Sequence, residues 1–144
     1  MSRPAREVSK VDEKRFTVDQ ANRTLPLVRR IAQDIVDGYR DLHQIRREHD
    51  QLKGKPGGEA SPGDGESVKR LEREAERHQE RIEDCLAELE LVGCQMKDFE
   101  IGLIDFPSEK EGKPILLCWK LGENDVRWWH SLEAGVRGRQ PIDG

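Results

Sequence analysis

The sequence contains few aromatic side chains: three Phe, three Trp and one Tyr in 144 residues. Aromatic rings supply much of the buried area of small domains, so their distribution indicates where a core forms. Five of the seven fall within the last 46 residues, as Phe99, Phe106, Trp119, Trp128 and Trp129. The C-terminal part of the chain is therefore expected to form most of the core.

Long apolar runs are also missing from the sequence. No segment approaches the roughly 20 apolar residues that a membrane-spanning helix needs. Residues 1–16 are rich in charge and lack the apolar segment of a secretory signal. We interpret them as a charged flexible tail, and we expect a cytoplasmic protein without membrane contact.

The three cysteines, Cys85, Cys94 and Cys118, lie far apart and form no Cys-x-x-Cys pair. This pattern argues against a disulfide framework and against the usual zinc-binding spacings. Small buried thiols are the expected outcome.

The chain has no excess of positive charge. Its 25 Lys and Arg residues stand against 29 Asp and Glu residues, which gives a formal net charge of −4. Nucleic-acid binding depends on concentrated positive charge. We therefore expect no nucleic-acid partner.

Two long helices are predicted in the first part of the chain. Thr17 and Gln20 fit a capping box, and apolar residues then recur every three or four positions to about Lys53. Pro26 lies inside this helix and predicts a kink, or a short helix over 18–24 followed by a long one. The Gly- and Pro-rich segment 53–66 is expected to be a flexible loop.

The second helix is predicted to begin after Ser67 and to end before Gly93, with a heptad pattern typical of coiled coils. Its apolar positions are Val68, Leu71, Ala75, His78, Ile82, Cys85, Leu89 and Val92. An antiparallel hairpin would align the two helices through the pairs Leu52–Val68, Ile45–Ala75, Leu42–His78 and Ile35–Cys85.

After Gly93 the hydrophobic period changes to two, which is typical of strands. The predicted strands span residues 94–98, 101–106, 114–121 and 126–130, and Pro107 is expected to end the second of them. The fold class is α+β: a helical hairpin over 17–93 and an antiparallel meander of three to four strands within 94–144, packed as one domain.

Tight turns at 107–113 and 122–125 would place one set of residues on a single sheet face. This set is Leu103, Asp105, Ile115, Leu117, Trp119, Val126, Trp128 and His130. Asp105 and His130 would then form an ion pair, a base–orienter pair or part of a metal site. Alternatively, Asp105 caps a turn and His130 bonds locally, and a slip of one residue reverses every face. In this register Cys118 faces the opposite side, which disfavours a Cys/His nucleophile.

The C-terminal tail concentrates glycine and arginine. Arg137 and Arg139 have the geometry to grip a carboxylate or phosphate, whereas the alternative is a structural salt bridge to Asp105 or Glu133. The candidate ligand-binding residues are Asp105, Trp129, His130, Glu133, Arg137 and Arg139. No cofactor or metal is assigned, and Asp105 and His130 are the candidate metal ligands.

Several short motifs carry a family resemblance. They are Phe16-Thr17, Ala21-Asn22, Leu25-Pro26, Gly102-Leu-Ile-Asp-Phe-Pro107, Leu117-Cys-Trp-Lys-Leu-Gly-Glu123, Trp129-His130 and Gly138-Arg-Gln-Pro141. Over about residues 15–142 the chain resembles the bacterial family known as domain of unknown function 2203. The resemblance implies a small bacterial cytoplasmic protein and draws attention to Asp105, Cys118, Trp119, Trp129, His130, Gly138 and Arg139. It implies no particular activity. The chain departs from the family pattern at Glu133-Ala-Gly-Val136, where an acidic residue and then Gly-Phe are expected.

Two functions remain open at this point. The heptad pattern favours a non-enzymatic helical-hairpin interaction protein that forms a homodimer or higher oligomer through its helices or its second sheet face. The alternative is a small-ligand (anion) or metal-binding protein, including the possibility of an enzyme, with a site in the C-terminal Asp/His/Arg cluster.

Overall fold

A computed structural model describes residues 15–54 and 62–142 of the chain. The predicted tail over 1–16 therefore lies mostly outside the described residues, and so does half of the predicted loop over 53–66, residues 55–61. The helices are α1 (Val18–Lys53) and α2 (Pro62–Val92), and the strands are β1 (Gln95–Asp98), β2 (Leu103–Lys110), β3 (Lys113–Lys120), β4 (Trp128–Ser131) and β5 (Gln140–Pro141). Within the described parts of the chain, neither helix has a segment apolar enough to cross a membrane.

Helix α1 begins at the predicted capping box. The Thr17 side chain accepts from the Gln20 backbone N–H at 3.1 Å, and the Gln20 side chain accepts from the Thr17 N–H at 3.0 Å. The helix continues through Pro26, so the predicted break after residue 24 is wrong. Burial of nearby residues offsets the lost hydrogen bond, since Leu25 before the proline and Val28 two residues after it are both core residues.

Helix α2 begins at Pro62, before the predicted start after Ser67. Pro62 suits a first helical turn because its missing N–H has no helical partner there. The two helices pack antiparallel in the predicted alignment: His49 contacts Glu72 at 2.8 Å, and Arg46 contacts Gln79 at 3.1 Å. This pairing places the open end of the hairpin, where α1 begins and α2 ends, beside the sheet.

The sheet is an antiparallel meander with the order β1-β2-β3-β4-β5. The α+β class is confirmed, and the sheet has five strands rather than three or four. The fifth strand, β5, pairs with Trp128 and Trp129 of β4. It is only two residues long and contains Pro141, so it shows no alternating pattern that sequence reasoning recognises.

Strand β2 runs past Pro107 to Lys110, so the prediction that Pro107 ends this strand is wrong. Strand β1 pairs with β2 only as far as Asp105, so the same edge of β2 has no strand partner after that residue. At Pro107 on this edge, the carbonyl accepts from the Phe16 N–H at 2.7 Å. The Pro107 nitrogen points to this same side, where it interrupts no ladder bond with β3. The chain then reverses at Glu111 and Gly112, which both have positive φ angles, as a two-residue hairpin turn requires.

One sheet face packs on the helical hairpin and forms the core. This face presents Ile104, Phe106, Ile115, Leu117 and Trp119, all at most 8% exposed. Phe16, ahead of α1, meets Phe106 edge-on with ring centroids 5.2 Å apart. The Asn22 side chain of α1 accepts from the Val126 N–H at 2.7 Å and so ties the helix to the segment before β4.

The predicted composition of the sheet faces is wrong. Asp105 lies opposite Cys118, and Cys118 lies opposite Trp128, so these residues share one face. Ile115, Leu117 and Trp119, which were predicted beside Asp105, instead face the helices. The prediction erred by one residue at both β2–β3 and β3–β4. The two errors cancel, so Asp105 and His130 still share a face.

Candidate functional site

Three chemically active side chains come together on the sheet face away from the helical hairpin. Asp105 comes from β2, Cys118 from the centre of β3 and His130 from β4. One ligand atom of each, a carboxylate oxygen, the sulfur and a ring nitrogen, lies within 4.8 Å of the other two. All three side chains are buried. We refer to them as the Asp/Cys/His cluster.

The closest contact in the cluster joins Asp105 and His130. The Nε2 atom of His130 lies 3.2 Å from Oδ1 of Asp105, and the two side chains are 3% and 5% exposed. The other ring nitrogen, Nδ1, lies 2.9 Å from the backbone oxygen of Ser131. The predicted meeting of Asp105 and His130 therefore occurs, and both ring nitrogens have partners.

The thiol of Cys118 is held in its protonated form. The pKa of Cys118 is raised to about 11, because burial disfavours the thiolate and the nearby Asp105 carboxylate acts in the same direction, while Arg139 opposes both. A protonated thiol is a poor nucleophile near neutral pH. The cluster by itself is therefore not arranged for cysteine nucleophilic catalysis.

Arg139 connects the C-terminal tail to the cluster. Its guanidinium donates to Glu123 Oε1 at 2.9 Å and approaches the backbone oxygen of Cys118 at 3.4 Å. It also lies 5.0 Å from the ring centroid of Trp128, within cation–π range. The sequence predicted an arginine salt bridge from the tail to Asp105 or Glu133, whereas Arg139 forms its salt bridge with Glu123. Arg139 supplies positive charge next to the Cys118 sulfur.

The other three candidate ligand-binding residues lie away from the cluster. Trp129 is on the opposite sheet face, with the Lys110 ammonium 5.5 Å from its ring centroid. Glu133 and Arg137 are exposed in the tail. The structure therefore brings Asp105, His130 and Arg139 to one region and leaves the remaining candidates outside it.

Sequence reasoning left Cys118 out of the site because it placed this residue on the wrong face. The signal that points to it is the two-residue turn at Glu111 and Gly112, since a tight turn there pairs residue 105 with residue 118. The segment Lys110-Glu111-Gly112-Lys113 has the Gly at the second turn position that this turn favours. Glu123, which anchors Arg139, was also not singled out.

An open cleft reaches the cluster from the end of α2. It has a volume of about 370 Å³ and is bordered by the last turn of α2, by Gln95 of β1 and by Asp105, Pro107 and Leu116 of the central strands. Asp105 is the cluster residue that borders it. We refer to it as the Asp105 cleft, because it connects the buried cluster to the surface.

The fold and the cluster define a small α+β protein with a helical hairpin, a five-stranded meander and a buried Asp/Cys/His site. The chain belongs to the family described as Uncharacterized conserved protein (DUF2203), whose family model matches residues 14–142. The resemblance drawn from the sequence motifs is thereby confirmed. No curated protein and no solved structure matched the chain.

The raised pKa of Cys118 predicts an alkaline loss of stability in metal-free protein. The thiol ionises near pH 11 in the folded protein, against its ordinary pKa of 9.0. Its contribution to the free energy of unfolding is therefore fully present below pH 9 and is lost as the pH rises through 11. The melting temperature of chelator-treated protein should therefore fall more between pH 9 and pH 11 than that of C118A. Parallel curves for the two proteins would contradict this prediction.

Proposed function

We propose that this protein binds one divalent metal ion of the zinc class through Asp105, Cys118 and His130. The observation that carries the proposal is the hydrogen bonding of His130. A backbone oxygen only accepts hydrogen bonds, so the 2.9 Å contact with Ser131 requires that Nδ1 carries the proton. In a neutral ring the lone pair then lies on Nε2, which faces the Asp105 carboxylate oxygen.

Two acceptor atoms facing each other at 3.2 Å inside a protein need a positive charge between them. A proton would supply it, and Cys118 would then remain a thiol hydrogen-bonded to Asp105 rather than a ligand. A metal ion uses all three side chains. A backbone carbonyl that receives the second ring N–H is also the usual support of a metal-binding histidine, because it fixes the tautomer. These two points favour a metal ion.

The distances are compatible with a small tetrahedral ion. Nitrogen and oxygen ligands at 2.0–2.1 Å from zinc lie about 3.3 Å apart when the angle is tetrahedral. The Nε2–Oδ1 distance of 3.2 Å is close to this value. The sulfur lies within 4.8 Å of both ligand atoms, so a modest approach of the Cys118 side chain completes the site.

The charges also balance when the ion is divalent. Binding would displace the thiol proton, as it does for other thiol ligands of zinc, and would leave one carboxylate, one thiolate and one neutral imidazole. Their two negative charges cancel the charge of the ion, which suits a buried location. Arg139 and Glu123 form a neutral pair beside it. Three protein ligands leave one coordination position for water, as in zinc sites that act on substrates.

Zinc titration of chelator-treated full-length protein tests the proposal. Calorimetry and native mass spectrometry should give one zinc ion per chain, with proton release at pH 8. At a free zinc concentration 100 times the Kd, the bound ion should add about 2.7 kcal/mol to the free energy of unfolding. Protein that binds no zinc at stoichiometric concentration would contradict the proposal.

A pair of cysteine variants separates the cluster from non-specific thiol binding. C118S should weaken zinc binding by about 100-fold or more, because it replaces a ligand sulfur. C85S is the matched control, since Cys85 is a buried free cysteine in the helical hairpin. It should bind zinc like the unaltered protein, and an equal loss in both variants would overturn the assignment of Cys118.

A second candidate function, self-association through the helical hairpin, is favoured by a separate surface. Leu91 is 85% exposed and Leu27 is 44% exposed, and both border a groove of about 480 Å³ between the helices. Arg30 lies on this groove together with Asp34 and Glu88, so the groove carries both signs of charge. A second copy packed about a two-fold axis would bury the leucines and pair opposite charges.

Sedimentation equilibrium at about 50 μM tests this homodimer. The unaltered chain should sediment as a dimer, and L91E should sediment as a monomer because it places a charge in the apolar contact. L132E is the matched control, since Leu132 is 54% exposed in the C-terminal tail away from the groove. If the unaltered chain is a monomer, self-association is contradicted, and the proposed zinc site is not affected by that result.

A further inference from the structure

The Asp105 cleft has the electrostatic character of a path for cations. Glu90 and Asp105 both border it, and among the described residues around it there is no lysine or arginine. The C-terminal end of α2, where the helix dipole is negative, contributes Glu90 to the same border, and Gly93 directly after the helix lies there too. These charges attract a cation and repel an anion.

Glu90 is placed against the local preference of the helix. The last turn of a helix favours Lys or Arg, and the last turn of α2 has neither. The Leu89 carbonyl accepts from the N–H groups of Gly93 and Cys94 at 2.9 and 3.1 Å, so backbone donors rather than a basic side chain satisfy this carbonyl. A carboxylate that is unfavourable for its own helix and borders a cleft leading to buried donors indicates a role outside helix stability.

The burial of the cluster makes a path necessary. The side chains of Asp105 and His130 are 5% and 3% exposed, and Cys118 is fully buried. An ion therefore reaches these donors only through an opening that borders one of them, and Asp105 borders this cleft. Glu90 is exposed at the mouth of the cleft, and Asp105 is buried at its inner end. Their carboxylates provide two successive oxygen partners for an ion that is losing its water shell.

We propose that the Asp105 cleft is the route by which a hydrated divalent cation enters the Asp/Cys/His cluster, and that Glu90 captures the cation at its mouth. The inference rests on the proposed metal site and adds the path and the residue that sets the rate of loading. Glu90 acts on association and is not a ligand of the bound ion. Anionic chelators are repelled by the same charges and strip the metal slowly.

The test follows the loading of Co²⁺ into chelator-treated full-length protein by stopped-flow absorption of the cobalt–thiolate band. E90Q removes the charge at the mouth, and E83Q is the matched control, because Glu83 is also exposed, lies on the same helix and does not border the cleft. At low ionic strength, E90Q should load roughly two- to fivefold more slowly than the unaltered chain. E83Q should load at the unaltered rate.

Salt and stoichiometry distinguish the possible outcomes. The difference between E90Q and the unaltered protein should shrink at about 0.5 M salt, where the Debye length is only about 4 Å. All three proteins should still bind one Co²⁺ per chain. The loading rate therefore tests the proposed entry path, and the stoichiometry tests the proposed metal site. Equal loading rates for E90Q and E83Q would overturn the path, and an unaltered chain that develops no cobalt–thiolate band would overturn the site and the path together.

Discussion

The contact on which the site depends is the buried pair of Asp105 and His130. Its two facing atoms lie 3.2 Å apart, and the Ser131 carbonyl fixes the hydrogen of the imidazole on the far nitrogen. A buried carboxylate without a positive partner is costly, by several kcal/mol. The face of the sheet opposite the helices must therefore hold a positive charge at this point. The proposed metal ion meets this requirement and would use Cys118 as a third ligand.

The rest of the fold keeps these side chains in place. The helical hairpin buries the other sheet face around Phe106 and Trp119, so β2 and β3 are held by a core that lies away from the cluster. Glu123 anchors Arg139 and also accepts from the Lys120 N–H at 2.8 Å, which fixes the tail to the end of β3. Rigid strands carry all three donors, and rigid elements position ligands more accurately than loops do.

The helices could be predicted from the sequence because their signals are local. The capping box at Thr17 and Gln20 and the spacing of apolar residues lie within α1 itself. Pro26 misled the prediction, since burial of neighbouring residues overrides the loss of one hydrogen bond. Strand β2 was cut short at Pro107 because a proline is tolerated on the uncovered edge beyond β1, and only tertiary structure shows which side is uncovered.

The site was predicted in part. Asp105, His130 and Arg139 were singled out, but Cys118 was assigned to the other face because strand register depends on the length of each turn. An error of one residue at each of two turns preserved the relation between the outer strands and reversed the central one. The partners Glu123 and Ser131 act through a side-chain contact and a backbone oxygen that no spacing rule reveals.

The measurement that tests the central claim most directly is zinc K-edge X-ray absorption on protein loaded with one equivalent of zinc. The account predicts one sulfur at about 2.3 Å, with the remaining ligands nitrogen or oxygen at about 2.0–2.1 Å. A first shell without sulfur, or with two sulfurs, would contradict a site built from Asp105, Cys118 and His130.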